Sequence, residues 1–475
     1  MKYITLTGAT GLLGSYLMRN LLAADVPLAA LVRSSRRESA RQRIENTLHP
    51  FEKQLGRPLP RPIVLESDLC KPMLGLGKDD LSWMRNNVDT MLHNAASLSF
   101  VAEPNGEPYR SNIEGTQNVL ALCEATGIRR FHHVSTAYTC GLREGTIRET
   151  EFDCGQEFGN DYEKSKFASE KSVREASFLD SLTIFRPAII VGDSLTGFTP
   201  TFHGFYAPLK ILTPLVSPES VQPENAAEFG QILGMKPDDV KNYVPVNWIA
   251  EVMTHVIRDE SLHRSCYHLA SKNRTRMDVM SRIMAEGIQN HKTGKTINAE
   301  HINLEKLFAT FIEQMEVYKS YWRCDPIFDM TNTHNAVPHL PPPIVDEPML
   351  RRLVRYAITS NFGWPIPKPA SIPFDTAEYI KTNFKTTISH QEKPLIFGLR
   401  VTGLGGGDWT VNAVTKEFQS GLPTTPAPLM TLNSTVFQRL VNKTIPPETN
   451  IAELTSWERG NDKERQAALQ ILTDF

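Results

Sequence analysis

Cysteine is scarce and scattered in this chain of 475 residues: Cys70, Cys123, Cys140, Cys154, Cys266 and Cys324, with no CxxC pair. That spacing argues against a zinc site or a disulfide framework; no metal is expected, and reduced thiols in a cytoplasmic setting are the plain reading. Long apolar runs are lacking, and none approaches the ~18–20 residues of a membrane span. No charge of one sign prevails, since 51 Lys and Arg stand against 53 Asp and Glu for a net charge of -2. A chain so balanced has no overall electrostatic reason to bind nucleic acid or an anionic membrane. The opening residues, Met1-Lys2-Tyr3-Ile4-Thr5-Leu6-Thr7-Gly8, do not have the make-up of a signal peptide and read as a strand entering a glycine turn. Internal repeats and low-complexity tracts are missing too. What remains, 40% hydrophobic and 22% charged, is a folding-competent mixture. Its length calls for two or three domains of ~100–200 residues.

Through the first half, short β-branched runs alternate with amphipathic stretches. Strands are expected at Tyr3–Thr7, Leu28–Val32, Ile63–Leu65, Thr90–His93, Phe131–Ser135 and Leu182–Phe185, with helices at Leu13–Leu22 and Thr116–Ala125. Such alternation predicts an α/β fold with a doubly wound parallel sheet covered on both faces. The Arg33–Arg61 segment holds eight basic residues and reads as a helix plus loop in the second crossover. Beyond Gly197, prolines from Pro200 to Pro237 exclude a long helix and suggest short helices and loops around a pocket. Further helices are expected at Arg274–Glu286 and Leu304–Tyr321. The proline-rich Trp364–Pro373 segment is a semi-rigid linker, which puts a boundary near residue 370. A small α+β unit follows, with strands at Leu395–Thr402 and Trp409–Val414 and a helix at Ser434–Val441. Gly403–Asp408 lies between two alternating strands and reads as a hairpin turn, not as a second nucleotide loop.

The sharpest local signal is Thr7-Gly8-Ala9-Thr10-Gly11-Leu12-Leu13-Gly14. A strand precedes it and a helical pattern follows, the context that a phosphate-binding turn requires. Gly8 permits the tight turn, Gly11 lets backbone N–H groups approach a pyrophosphate, and Gly14 lets the helix pack closely on the sheet. Thr10, Leu12 and Leu13 belong to the same turn. The second strand ends in Arg33, Ser34, Ser35, Arg36 and Arg37, where an NAD site usually carries an acidic residue. A guanidinium pairs well with the adenosine 2′-phosphate, so NADPH is favoured, with Arg33 and Arg36 as its ligands. A solvated basic helix start would equally account for Arg36 and Arg37. Asp68 and Leu69 follow the third strand, within reach of the adenine. Asn94, Ala95 and Ala96 follow the fourth, small residues where the backbone passes the cofactor closely.

Tyr162 and Lys166 stand four apart, on one face if the segment is helical. The ammonium lowers the phenol's pKa and holds the nicotinamide ribose, making Tyr162 a usable proton donor. Such a pair recurs by chance on helices; its weight comes from Thr136, 26 residues upstream at the end of a strand. A hydroxyl there can bond a substrate carbonyl and stabilise the developing alkoxide.

Taken in order, the Thr7-Gly8-Ala9-Thr10-Gly11 turn, Asn112 within Ser111-Asn112-Ile113-Glu114-Gly115-Thr116, Ser135-Thr136, Tyr162 with Lys166, and Arg186-Pro187 resemble an extended short-chain dehydrogenase/reductase over residues 1–270. The resemblance implies that Asn112 supports the active-site helix and that Pro187 borders the cofactor. The run from Ile184 to Gly197, with His133-Val134-Ser135-Thr136-Ala137-Tyr138 and Tyr243-Val244-Pro245-Val246-Asn247-Trp248, resembles the thioester-reductase branch that includes fatty acyl-CoA reductases. Asn247 stands where that branch commonly has Asp. Phe328-Asp329 with Asn332-Thr333 resembles the helical tail of fatty acyl reductases. The resemblance implies reduction of an acyl thioester, on coenzyme A or a carrier protein, to an aldehyde or onward to an alcohol. Residues 271–369 are then a helical extension and linker. Residues 370–475 resemble a sterol-carrier-protein-2-like domain, which implies an acyl or sterol-like ligand; a docking or dimerisation module is the alternative. Two other readings stand beside the reductase. One is a nucleotide-sugar epimerase or dehydratase with tightly bound NAD, against which the arginines speak. The other is a non-catalytic NADPH- or lipid-binding protein.

Overall fold

The computed structural model describes residues 2–214, 234–291, 311–386, 395–445 and 450–473. Seven strands, β1 (Tyr3–Thr7), β2 (Leu28–Val32), β3 (Ile63–Glu66), β4 (Val88–His93), β5 (Arg130–Val134), β6 (Ser181–Pro187) and β7 (Cys266–Leu269), form one parallel sheet. Their order is β7-β6-β5-β4-β1-β2-β3, and every neighbouring pair is parallel. The chain runs one way from β1 to β3 and the other way from β4 to β7. The reversal between β1 and β4 opens a crevice at their carboxyl ends, where ligands of such sheets bind. The expected doubly wound sheet is therefore the observed one. The seventh strand carries His268 and Tyr267 inside a four-residue run too short to stand out in the sequence.

Helices α1 (Leu12–Ala23), α2 (Ala40–Leu55), α3 (Lys78–Asn87), α4 (Gly115–Thr126) and α5 (Asp161–Arg174) make the crossovers. All five residues of β2 are buried, as a strand covered on both faces must be. Leu13, Leu17 and Leu21, spaced at helical intervals, turn one side of α1 into the core it shares with α6 (Val246–Arg258).

The region after β7 is not all helical. Ile327–Phe328 pairs in parallel with Thr146–Ile147, so the chain threads back into the first unit. Helices α7 (Met277–Gln289) and α8 (Glu347–Thr359) enclose a second core with Phe205 and Tyr206. Of the helix expected at Leu304–Tyr321, residues 304–310 lie outside the described residues, and Glu316–Tyr321 is a 3₁₀ turn. Pro218 and Pro223 also lie outside them.

The C-terminal residues form a mixed sheet of β8 (Ile396–Thr402), β9 (Gly407–Asn412), β10 (Glu417–Ser420), β11 (Leu429–Asn433) and β12 (Ser456–Glu458), in the order β10-β9-β8-β11-β12. Only β8 and β11 run parallel among these neighbours. The glycine-rich stretch from Gly403 joins β8 to antiparallel β9 as a hairpin. Helices α9 (Thr376–Asn383), α10 (Ser434–Val441) and α11 (Asp462–Thr473) accompany the sheet, whose core includes Phe397, Val401, Phe418, Met430 and Phe437. This unit meets the first one partly at the amino-terminal edge of the parallel sheet. There the Leu422 N–H donates to the Tyr3 hydroxyl at 2.8 Å, and Trp83 Nε1 donates to the Ser420 carbonyl at 2.8 Å. Among the described residues no helix is long and apolar enough to cross a membrane.

Candidate active site

A cavity of about 1010 Å³ runs from the carboxyl ends of β1, β4 and β5 to the inner side of α7. Its near end is built by the glycine turn. Gly8 leaves β1 with φ +70°, and the Gly11 N–H donates to the Gly8 carbonyl at 3.1 Å. A Cβ on Gly14 would lie 2.0 Å from that carbonyl oxygen, and one on Gly8 would lie 2.9 Å from the Ala95 Cα. The close approach of α1 to the strand end therefore excludes any side chain at either position. Beneath the turn, the Thr7 hydroxyl accepts from the Asn94 and Ala95 amides, each at 3.0 Å. Asn94 Nδ2 donates to the Gly8 carbonyl at 3.2 Å. His93 bridges Thr7 and Thr116 at 2.9 and 3.0 Å. Burial, with Lys166 adding to it, pushes His93 down to about 3, so the bridging imidazole is neutral.

Gly8, Thr10, Gly11, Leu12 and Leu13 all line the cavity, while Gly14 lies behind the turn as a packing residue. Arg33, Asp68, Leu69, Asn94, Ala95, Ala96 and Pro187 line it as well. Arg36 does not: the Ser35 N–H donates to the Glu38 carbonyl at 2.8 Å, and this local turn leaves Arg36 exposed outside the wall. Arg43, from the first turns of α2, stands there instead and donates to the Thr10 hydroxyl at 2.8 Å and to the Arg33 carbonyl. The basic Arg33–Arg61 stretch contained that residue, but only folding distinguishes it from its neighbours. The glycine cradle, the amino end of α1 without an acidic residue in its first turn, and two arginines together fit a dinucleotide carrying phosphates.

The centre of the cavity holds Thr136, Tyr162 and Lys166. Thr136 follows β5 and caps a short 3₁₀ turn; its hydroxyl donates to the Pro187 carbonyl at 3.3 Å. Asn160 caps α5, which starts one residue before Tyr162 and places Lys166 one turn further on the same face. Burial raises Tyr162 to about 12, against a hydrogen bond with Thr136 that lowers it. Lys166 is 2% exposed and donates from Nζ to the Val134 carbonyl at 2.8 Å. Burial lowers it to about 8, with Glu170 opposing. The expected lowering of the phenol by Lys166 is not found, because burial outweighs it and the ammonium is turned to the Val134 carbonyl; both groups hold their protons at neutral pH.

Asn112 does not line the cavity. It sits in a π turn, Arg110–Glu114, and fastens the Ser97 backbone in both directions, at 2.7 and 3.1 Å. Its Nδ2 also donates to the Ser165 hydroxyl at 2.9 Å, so it ties α5 to the loop after β4. Arg186 is likewise away from the centre: it closes a buried ion pair with Glu170 at 2.6 Å. Two further groups are invisible in the sequence. Asp161 accepts from the Ala102 N–H at 2.8 Å and from the Tyr109 hydroxyl, holding Phe100 edge-on to Tyr162. Asp325 gathers Tyr138, Lys241 and the Asn242 N–H. Neither carries a motif, because its partners are far away in sequence.

The cavity wall is rich in methionine. Met235, Met277, Met280, Met284 and Met315 line it, each less than a tenth exposed. Methionine side chains adapt to flexible apolar guests. Among the described residues no cluster of ligands could hold a metal.

Several known proteins are similar. One component of the linear gramicidin synthase of Brevibacillus parabrevis is 29% identical over 280 residues, 58% of this chain and 5% of that protein. The large subunit of the L-2-aminoadipate reductase of Penicillium chrysogenum is 30% identical over 218 residues, 42% of this chain and 15% of that protein. Aldehyde reductase lnaA of Aspergillus flavus is 23% identical over 397 residues, 74% of this chain and 36% of that protein. The chain thus spans a minor part of the length of these relatives. Among solved structures, the terminal R domain from the myxalamid PKS-NRPS pathway shares the fold with a TM-score of 0.58 and 23% identity, covering 78% of this chain and 93% of that one. A thiolation-reductase di-domain from an archaeal non-ribosomal peptide synthetase follows with a TM-score of 0.54 and 17% identity, covering 76% of each chain. Residues 6–253, over half of the chain, match the NAD-binding family described as Male sterility protein, and the chain belongs to that family.

Proposed function

We propose that this chain is an NADPH-dependent reductase that converts an acyl thioester to an aldehyde, with Thr136, Tyr162 and Lys166 as its catalytic residues. One observation carries the reading: these three side chains share a cavity with the glycine turn at one end and a methionine-lined wall at the other. An acyl chain fills a wall of methionines, whereas the hydroxyls of a nucleotide sugar gain nothing from it. The relatives named as aldehyde and aminoadipate reductases, and the thiolation-reductase di-domain, support a thioester brought on a carrier protein; coenzyme A would serve the same chemistry.

NADPH, when bound, supplies the hydride. Gly8, Gly11 and the amino end of α1 would hold its pyrophosphate, Arg33 and Arg43 the 2′-phosphate, Asp68 and Leu69 the adenine end, and Lys166 the nicotinamide ribose. The Thr136 and Tyr162 hydroxyls bond the thioester carbonyl oxygen and stabilise the oxyanion as the carbon becomes tetrahedral. Tyr162 then gives that oxygen its proton. Collapse of the hemithioacetal expels the thiol and leaves the aldehyde; a second round would give the alcohol. No cysteine nucleophile takes part. Asn112 and Asp161 act through the parts they hold. The scattered cysteines, none in a CxxC pair, favour work in the cytoplasm.

The C-terminal unit admits two readings, an acyl- or sterol-binding module or a docked support. Its contacts with Tyr3, Trp83 and α2 favour the second.

NADPH oxidation with acyl-CoA and carrier-bound thioesters of graded chain length tests the proposal. Thioester-dependent oxidation is expected; none with any thioester overturns it.

A further inference from the structure

The residues at the start of α2 divide between two tasks. Ser39 caps the helix and forms a capping box with Gln42, whose Oε1 accepts the Ser39 N–H at 3.0 Å. The other end of the same amide, Nε2, donates to the Ala370 carbonyl at 3.3 Å, in the linker to the C-terminal unit. Arg41 pairs with Asp375 at 3.0 Å and donates to the Gly406 carbonyl at 2.9 Å. Glu45, one turn further and 2% exposed, accepts the Gly405 N–H at 3.2 Å while paired with Arg61 at 2.9 Å. Gly405 in turn is seated so closely that a Cβ would lie 2.1 Å from the Phe374 carbonyl oxygen. At 3.6 residues per turn, Arg41 and Glu45 share one side of the helix and Arg43 lies ~200° round from Arg41. One side of this turn is thus bonded to the C-terminal unit, and the other aims Arg43 at the cofactor cavity.

Resting on the NADPH reading above, we infer that the C-terminal unit is a positioning part of the cofactor site: it holds the start of α2 so that Arg43 meets the adenosine 2′-phosphate. The first turn of a helix lacks half its hydrogen bonds and frays unless something holds it. Here the Gly405–Gly406 hairpin, Asp375 and Ala370 supply that hold from outside. Arg43 spends donors on Arg33 and Thr10, and the rest of its fork is free of protein acceptors among the described hydrogen bonds. A fork held in place loses less freedom when it binds a phosphate than one on a loose turn. Arg41 and Asp375 touch no cofactor on this account; they act through Arg43.

Calorimetric binding of 2′,5′-ADP and of 5′-AMP to the full chain separates the possibilities, because the two probes differ only in the 2′-phosphate. Wild type is expected to prefer 2′,5′-ADP, and Arg43→Ala to lose that preference by about tenfold or more. Asp375→Ala is expected to weaken 2′,5′-ADP by ~2–5-fold, the worth of a partly exposed ion pair, and to leave 5′-AMP unchanged. Arg41→Ala should do the same, and the Arg41→Ala/Asp375→Ala double variant should lose no more than either single change. Equal binding of both probes by wild type overturns the NADPH reading itself. A preference lost in Arg43→Ala but kept in Asp375→Ala and Arg41→Ala keeps NADPH and overturns the inference. Equal weakening of both probes in Asp375→Ala overturns it as well.

Discussion

The Tyr138 hydroxyl donates to Asp325 Oδ2 at 2.7 Å, joining the loop after β5 to a segment 187 residues later. The other carboxylate oxygen pairs with Lys241 Nζ at 3.1 Å, and the Asn242 N–H donates to Oδ2 at 2.8 Å. Tyr138 lies two residues from Thr136, and its N–H donates to the Thr136 hydroxyl at 3.3 Å. Thr136 is therefore tied, through Tyr138 and one buried carboxylate, to Lys241 and Asn242. Removing that carboxylate in Asp325→Ala strands the Lys241 ammonium and should cost about 3–5 kcal/mol in urea unfolding. Adding Lys241→Met should recover part of the loss. A double variant as unstable as the sum of both singles would show that the pair is not coupled.

Tyr162→Phe removes the proposed proton donor and keeps the ring against Phe100. Turnover of a thioester should fall by about 10²-fold or more while dinucleotide binding holds. Thr136→Val, which removes one proposed oxyanion donor, should cost ~10²-fold in kcat. Single-turnover oxidation of NADPH checks both, and wild-type rates in Tyr162→Phe would move the proton donor elsewhere.

The pH profile follows from Lys166. Burial lowers its pKa to about 8, so the ammonium proposed to hold the nicotinamide ribose is present below that pH and lost above it. The phenol, raised to about 12, stays protonated through the whole range. The kcat/KM of the proposed reaction should therefore hold through neutrality and fall as pH rises through about 8. A profile that stays flat well into the alkaline range would assign no role to the Lys166 charge.

Gly14→Ala tests the cradle. Its Cβ would meet the Gly8 carbonyl oxygen at 2.0 Å, and because that neighbour is backbone, only displacement of α1 relieves the clash. Dinucleotide binding, followed by nucleotide fluorescence, should be lost or severely weakened. Full affinity in a folded variant would show that α1 does not need its close approach.

The Arg400–Asp408 pair tests the C-terminal unit. Both side chains are buried, and they meet through two bonds of 3.0 Å. Burial raises the Asp408 pKa, and Arg400 works against that shift. Arg400→Ala should destabilise the chain by about 3–5 kcal/mol, since it leaves a buried carboxylate without its cation. Denaturant unfolding monitored by tryptophan fluorescence measures it, and a loss below ~1 kcal/mol would contradict a buried pair.

The local parts of this protein were legible in its sequence. β1, β2 and the helix Ser434–Val441 begin and end as their apolar periods and flanking residues dictate. The glycine turn, Thr136, Tyr162 and Lys166, singled out in the sequence, line one cavity; the turn and the Tyr162–Lys166 pair are short-spaced patterns, and Thr136 is marked by its place at the end of a strand. Where the requirement is a place in space, the sequence was silent. Arg36 and Arg43 are both basic residues in one basic stretch, and only the turn at Ser35 sends the first to solvent while α2 brings the second to Thr10.

The strand β7, Cys266–Leu269, has no strand pattern of its own and exists because the edge of β6 supplies its hydrogen bonds. Asp325 found Lys241 and Tyr138, and Gly405 found Glu45, across separations of 84, 187 and 360 residues that no local pattern records. Short-range order follows from the backbone and its immediate neighbours, which the sequence contains. Partners brought together by chain closure depend on how the sheet and its attached units pack, and that packing was decided only in the tertiary structure.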